Sequence, residues 1–284
     1  MNYQHAFHAG NFADVHKHIV LTLIVEHLRA KPAAFRVIDS HAGAGRYDLG
    51  GAEAARSGEW RDGIARLIAA KADLGEGRAG ALVKIYCDAV AALNKSGTLR
   101  LYPGSPLLAA ARLRPQDRLI ACEVEPRAAA VLAAVLRPFR GAKVLTIDGW
   151  TAIRANVPPK ERRGLVLIDP PFEERDDFNK LSGALEDAHR KWPTGIYMLW
   201  YPITERAAPD ALARRLRRLR VPKILRSEIA RAAPGADAGL TGSGLVIVNP
   251  PYTLERDLKV LHPVLIRVLA AGGGERLDWL SGEG

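Results

Sequence analysis

The sequence predicts an α/β protein with a doubly wound, mostly parallel sheet, and three features carry that prediction. Short apolar runs alternate with longer stretches of helical periodicity along most of the chain. The first run feeds a glycine-rich turn, Asp39-Ser-His-Ala-Gly-Ala-Gly45. Later runs finish on or beside acidic residues, where an open sheet would present them to a ligand at the carboxyl ends of its strands.

Taken in order, the chain opens with a helix. Asn11 followed three positions later by Asp14 resembles a capping box, and a helix to about Leu28 follows with Val15, Ile19, Leu23 and Leu28 on its apolar face. Strands are expected at residues 35–40, 118–124, 143–148, 164–169, 195–201, 223–229 and 244–249, seven in all. Between the first two lie far more residues than one crossover helix needs. Gly50 and Gly51 break the chain there, and two helical patterns follow, one with Ile64, Leu67 and Ile68, the other with Leu82, Ile85, Tyr86, Ala89 and Leu93. Residues 49–101 are therefore expected to form a small inserted helical subdomain, and residues 1–48 and 102–284 the main domain. Ser105 has the chemistry of an N-cap, with Pro106 at N1, so the displaced crossover helix is expected to start there and return Ser105 to the ligand end of the sheet.

The 284 residues suffice for one substantial core, and 48% hydrophobic with 25% charged residues excludes disordered and fibrous classes. Forty-one basic against 31 acidic residues leave a net charge of +10, which favours a polyanionic partner. The densest basic run, Arg214, Arg215, Arg217, Arg218 and Arg220, interleaves with Leu212, Leu216 and Leu219 at helical spacing. It reads either as a solvated amphipathic helix or as a phosphate-binding face. The longest apolar stretch, residues 19–25, is too short to span a bilayer, and no secretory pattern precedes it, so a cytoplasmic protein without membrane contact is expected. Cys87 and Cys122 stand far apart and read as buried, reduced residues. His5, His8, His16 and His18 lack a completing Cys or carboxylate ligand, so no metal is expected.

The strand ends carry the chemistry. Gly43 and Gly45 let the backbone approach a ligand without side-chain clash, whereas the G-x-G-x-x-G dinucleotide pattern fails at Asp48. Glu123 and Glu125 follow the second strand on the same side, and a carboxylate there can accept both ribose hydroxyls of a nucleoside. Asp148-Gly149 ends the third strand, and its carboxylate could accept from an adenine amino group. The fourth strand ends in Asp169-Pro-Pro-Phe172. An exocyclic amino group on a purine is a poor nucleophile because its lone pair is delocalised. Asp169 and the Pro170 carbonyl could hold its two hydrogens and aim that lone pair, while Phe172 offers a face on which an extruded base can stack. A second tetrad, Asn249-Pro-Pro-Tyr252, closes the seventh strand. Read as an antiparallel strand, it places the second tetrad at the opposite sheet edge, so Asp169 is preferred.

Tyr3-x-His-x-Phe-His-Ala-Gly-Asn11, Ala13-Asp-Val-x-Lys-His18, His41-Ala-Gly-Ala-Gly-Arg-Tyr47, Pro103-Gly-Ser-Pro106 and Asp169-Pro-Pro together closely resemble one family over essentially the whole chain. It is that of the bacterial 23S ribosomal RNA adenine-N6 methyltransferases of the large-subunit J type. The resemblance implies a class I Rossmann-like methyltransferase fold with a seven-stranded sheet, its last strand antiparallel. It implies S-adenosylmethionine as methyl donor, no metal, 23S ribosomal RNA as partner, and a monomeric enzyme. By position, Lys17, His18, His41, Ser105, Glu123, Asp148, Gly149 and Asp169 would contact the cofactor or line its pocket, with Asp169 the catalytic acceptor and Tyr3 on the substrate side. The family tetrad usually ends in tyrosine, so Phe172 keeps the stacking face and loses a hydroxyl. Two alternatives share some of these features: a DNA adenine-N6 methyltransferase, and a non-catalytic RNA-binding protein on the same scaffold.

Overall fold

The computed structural model describes residues 4–174, 176–233, 239–270 and 273–282. A 3-10 turn at His5–Phe7 leads into α1 (Phe12–Arg29), which begins as the sequence predicts, with the Asn11 side chain accepting from the Asp14 amide. Next come β1 (Arg36–Asp39), β2 (Arg46–Asp48), α2 (Ala52–Ser57), α3 (Ile64–Leu74), α4 (Arg78–Leu93), β3 (Leu101–Pro103) and α5 (Ser105–Ala110). The chain then alternates through β4 (Arg118–Cys122), α6 (Pro126–Leu136), β5 (Ala142–Leu145), α7 (Gly149–Asn156), β6 (Gly164–Ile168), α8 (Asp177–Lys191), β7 (Ile196–Ile203) and α9 (Ala207–Arg218). It closes with β8 (Ile224–Ala230), β9 (Gly242–Val248), α10 (Leu254–Leu265) and β10 (Glu275–Ser281).

The main sheet has eight strands in the order β10-β8-β9-β7-β6-β1-β4-β5. All seven expected runs are present, but the expected count of seven is corrected by β10. That strand pairs antiparallel with β8 and reads Glu-Arg-Leu-Asp-Trp-Leu-Ser, too charged to stand out as an apolar run. Such a polar composition suits an edge, where bare backbone groups would otherwise recruit another chain. β9 runs antiparallel between β7 and β8, as the resemblance implies. β1 pairs parallel with both β4 and β6, so the strand order reverses there and opens a crevice above their carboxyl ends.

Each central strand buries alternate residues in two cores. Val37, Leu165, Leu167 and Met198 face α1, α4 and α10, whereas Ile38, Val166, Ile168 and Leu199 face α8 and α9. Burial on both faces explains why β6 reads as an unbroken apolar run, Gly-Leu-Val-Leu-Ile. α1 is enclosed on nearly all sides, with His16, Lys17, His18 and Thr22 buried beside its apolar residues. Each fully buried Ile or Leu there contributes about 1.5–3 kcal/mol relative to exposure.

The stretch 49–101 holds the two expected helices, α3 and α4, together with the short α2. Leu67, Leu82, Tyr86 and Val90 share one core with Phe12, Ile19 and Leu108. A two-stranded antiparallel ladder, β2 with β3, closes its base. The cap of α5 is also corrected: Gly104 takes the N-cap position and Ser105 is the first helical residue, so the helix starts one place earlier than expected. The Ser105 hydroxyl donates to Asp39 instead, and so still lies at the tip of β1. α9 bears Leu212 and Leu216 inward and Arg214, Arg215, Arg217 and Arg218 outward, as both readings of that run require.

Candidate active site

The crevice at the β1/β6 reversal gathers most of the predicted residues. Gly43 and Gly45 turn the chain with φ values of 60° and 76°, a region open to glycine but costly for other residues. Their loop is framed from three sides. The Gly43 amide donates to Glu123 at 2.9 Å, the Ala44 amide to the Tyr47 hydroxyl at 3.2 Å, and the Gly104 amide to the Gly45 carbonyl at 2.9 Å. Glu123 also accepts from the Glu125 amide, while Glu125 caps α6 through Arg127 and Ala128. The two carboxylates therefore divide their work, Glu123 in the crevice and Glu125 on the helix.

Asp148 caps α7 by accepting from the Thr151 amide at 2.8 Å. Gly149 follows it with no room for a side chain: a β-carbon would lie 2.4 Å from the Ser40 carbonyl and 2.6 Å from the His41 ring. His41 packs edge-on against Trp150, with centroids 5.1 Å apart. The Ser40 hydroxyl commits its hydrogen to the Leu167 carbonyl, so His41 Nδ1, 2.8 Å away, is the donor between them. Burial pushes the His41 ring down to about 4, leaving it neutral with Nε2 a bare acceptor. A groove of about 400 Å³ starts at Asp148 and Trp150 and runs between α7 and α8 past Ile153, Arg154 and Lys180.

At the tip of β6, Asp169 receives the Lys17 ammonium at 2.5 Å, and Lys17 lies 2.9 Å from Asp14 on its other side. Lys17 and Asp14 are only 5% and 3% exposed. Burial opposes the charge on Lys17, but the two flanking carboxylates outweigh it and raise its pKa. Burial likewise opposes ionisation of Asp14, yet the adjoining His5 with its hydrogen bond, and the Lys17 ammonium, hold it well below the usual carboxylate range. Asp14 also accepts from the Gly10 amide at 2.9 Å, which ties the N-terminal segment to the same ion cluster. His18 is neutral, pushed down to about 3 mainly by burial, and bonds through Nδ1 to the Tyr102 hydroxyl at 2.7 Å. Tyr102 in turn bonds to Tyr86 of α4 at 2.8 Å.

Phe172 follows the two prolines with φ at 53°, its ring 4.9 Å from Phe178 and 5.7 Å from Trp200. Asn249 lies at the other sheet edge, since Val248 pairs with Tyr197 near the amino end of β7, and its amide donates to the Pro193 and Gly195 carbonyls. Tyr3 lies outside the described residues. His5, His8, His16 and His18 each bond to a carboxylate, serine or tyrosine, and no cluster of three or more metal-ligand residues occurs among the described residues. No helix among them is long and apolar enough to cross a membrane.

Asp39 is a site residue that the sequence reading passed over. It is buried, accepts from Ser105 at 2.7 Å through Oδ2, and leaves Oδ1 without a partner. Burial, reinforced by the Asp169 charge, pushes its carboxyl up to about 7. The available signal was its place as the last strand residue before the glycine turn. Asp14 was read as a capping residue only, and nothing in its spacing announced the ion cluster.

Residues 32–281 match the model of a family described as Ribosomal RNA large subunit methyltransferase D, RlmJ. The chain is 40% identical to the Ribosomal RNA large subunit methyltransferase J of Haemophilus influenzae, with all of both chains covered, and 39% identical to that of Escherichia coli, with 99% of each covered. Among solved structures, protein LPL1258 of Legionella pneumophila superposes with a TM-score of 0.88 at 33% identity, covering 95% of this chain and 98% of that one. With its reversal-point crevice, glycine loop and full-length likeness to these relatives, the chain belongs to the RlmJ family of ribosomal RNA large subunit methyltransferases.

Proposed function

We propose that this protein transfers a methyl group from S-adenosylmethionine to N6 of a single adenine in 23S ribosomal RNA. The observation that carries this reading is the seating of Asp169-Pro-Pro-Phe172 at the tip of β6, one strand from the glycine loop and anchored by Lys17. The crevice fits the cofactor's chemistry. Gly43, Gly45 and Gly149 leave backbone surface bare, Glu123 offers a carboxylate for ribose hydroxyls, and Asp39 Oδ1 is a buried acceptor awaiting a donor. Asp148, His41, Ser105, Lys17 and His18 complete the proposed lining. When bound, S-adenosylmethionine supplies an electrophilic methyl carbon.

The chain's own residues would do the rest. Lys17 engages Asp169 Oδ2, leaving Oδ1 to accept one amino hydrogen of the adenine. The Pro170 carbonyl takes the other, and the two acceptors aim the nitrogen lone pair. Phe172 stacks the extruded base, with Phe178 and Trp200 bracing its ring. The proton leaves with or after the methyl transfer, so no strongly shifted general base is required. Tyr3 would approach the base from the N-terminal side. The net charge of +10 supports a polyanionic substrate. We read residues 49–101 as a helical subdomain that braces the glycine loop and His18 through Tyr47, Tyr102 and Tyr86, and the whole as a monomeric cytoplasmic enzyme without a metal.

The discriminating experiment offers labelled S-adenosylmethionine with 23S ribosomal RNA or with duplex DNA, then maps the product by mass. Incorporation at one adenine N6 of the RNA is expected. Labelling of the DNA alone would make this a DNA enzyme, and RNA binding without a cofactor-induced thermal shift would make it a non-catalytic binder. Cofactor affinity should also depend on pH through Asp39. Its carboxyl is largely protonated below about 7, and a cationic ligand beside it favours the ionised form. Calorimetric Kd is therefore expected to rise about tenfold between pH 8 and pH 6, and a flat profile would remove Asp39 from the cofactor site.

A further inference from the structure

On the α1 side of the sheet, a line of buried polar side chains crosses a core that is otherwise apolar. Trp200 Nε1 lies 3.0 Å from Ser243 Oγ, Ser243 Oγ 3.0 Å from His16 Nδ1, His16 Nε2 2.9 Å from Ser227 Oγ, and Ser227 Oγ 2.7 Å from His262 Nε2. His262 Nδ1 ends the line 3.1 Å from a Glu275 carboxylate oxygen, near it without an aligned hydrogen bond. Ser227, Ser243 and His16 are fully buried, and His262 is 1% exposed. Five elements contribute: β7, β9, α1, β8 and, at the far end, α10.

The line has a fixed direction. An indole N–H can only donate, so Ser243 accepts from Trp200 and must place its own hydrogen on its other neighbour, His16 Nδ1. His16 is then protonated on Nε2 and donates to Ser227, which donates to His262 Nε2. Every hydrogen points away from Trp200 and toward the acidic end at Glu275. Burial lowers the pKa of both imidazoles, so each is neutral and can accept at one nitrogen while donating at the other.

Both ends of its first half touch the site described above. The Trp200 ring stands 5.7 Å from the Phe172 ring and 5.6 Å from the Lys17 ammonium. His16 immediately precedes Lys17 on α1, so its two serine contacts on β8 and β9 also fix how α1 sits on the sheet. An apolar core would bury the same area without setting one indole rotamer or one helix register, whereas a satisfied polar chain has only one low-energy arrangement.

We propose that Trp200 is a positioning residue for Phe172 and the Lys17–Asp169 pair, and that the Ser243–His16–Ser227–His262 chain holds it there. The proposal rests on the reading of Asp169 and Phe172 as the methyl-transfer site. It is tested in the full-length protein with a cycle of Ser243→Ala, Trp200→Phe and the double variant, measuring kcat and KM for 23S ribosomal RNA and Kd for S-adenosylmethionine. Ser243→Ala should lower kcat about tenfold, as a small misplacement of a reacting group does, with KM and Kd within twofold of native. In the Trp200→Phe background, where the N–H is gone, the same change should have no further effect. A native kcat for Ser243→Ala, or an equal loss in both backgrounds, overturns the proposal. Should Ser243→Ala not fold, Trp200→Phe alone decides: a fall in kcat with unchanged KM and Kd supports it, and an unchanged kcat overturns it. Asp169→Asn runs alongside, so that native turnover there marks failure of the site reading rather than of the positioning chain.

Discussion

Asp169→Asn is expected to lower the rate of methyl transfer by about 10²–10³-fold, the usual loss when one preorganised polar group at a reacting centre is removed. The carboxylate is asked to accept a hydrogen from the attacking amine, and an amide at the same place presents a donor on one of its two arms. Cofactor affinity should change little, because the glycine loop, Glu123 and Asp148 are held by contacts independent of Asp169. The fold should also survive, since Lys17 keeps Asp14 at 2.9 Å. Single-turnover incorporation of labelled methyl into 23S ribosomal RNA reads the effect directly. Turnover within twofold of native would place the chemistry elsewhere.

Lys17→Met is expected to have the largest effect on stability. The substitution keeps the length and much of the apolar stem but leaves two carboxylates, Asp14 at 3% exposure and Asp169 at 14%, without their shared cation. Removing one partner from a buried ion pair costs about 3–5 kcal/mol, because the remaining charge stays desolvated. The pH dependence follows in sign. In the native protein Asp14 is held below its ordinary range, so its contribution is present at neutral pH and fades only in strong acid. In the variant Asp14 loses the buried cation that helps hold its pKa down, so its pKa rises and protonation relieves it. The difference in urea midpoint between native and variant should therefore be large at pH 7 and smaller at pH 5. A difference that widens toward pH 5 would contradict this account of the cluster.

Much of the sheet was legible because buried parallel strands are written as continuous apolar runs, and all seven expected runs lie in it. β10 escaped for the opposite reason: as an edge strand half open to solvent it carries Glu275, Arg276 and Asp278. β2 and β3 escaped because three residues are too few for any period. Ser105 was read as a cap from its residue type, but its hydroxyl is engaged by Asp39, a partner 66 positions away that no local pattern could announce. At the site, the strand-end residues Glu123, Asp148 and Asp169 could be read from strand order. The Lys17 contact could not: it depends on how α1 lies across the sheet, and only the family resemblance pointed to it. Asn249 lies at the opposite sheet edge, as strand direction predicts and as its residue type alone would not have told.

The span of these contacts along the chain bears on when the protein becomes competent. Lys17 meets Asp169 across 152 positions, and His16 meets Ser243 across 227. During synthesis the first helix therefore leaves the ribosome long before the strands that will receive it. A nascent chain lacking its last quarter has neither the serine clasp on His16 nor β9 beside β7, so its half-built crevice should be inert. Such long-range closure also comes late in folding, since the entropy of joining distant segments must be overcome first. A protein assembled in this order would acquire its chemistry in one late step.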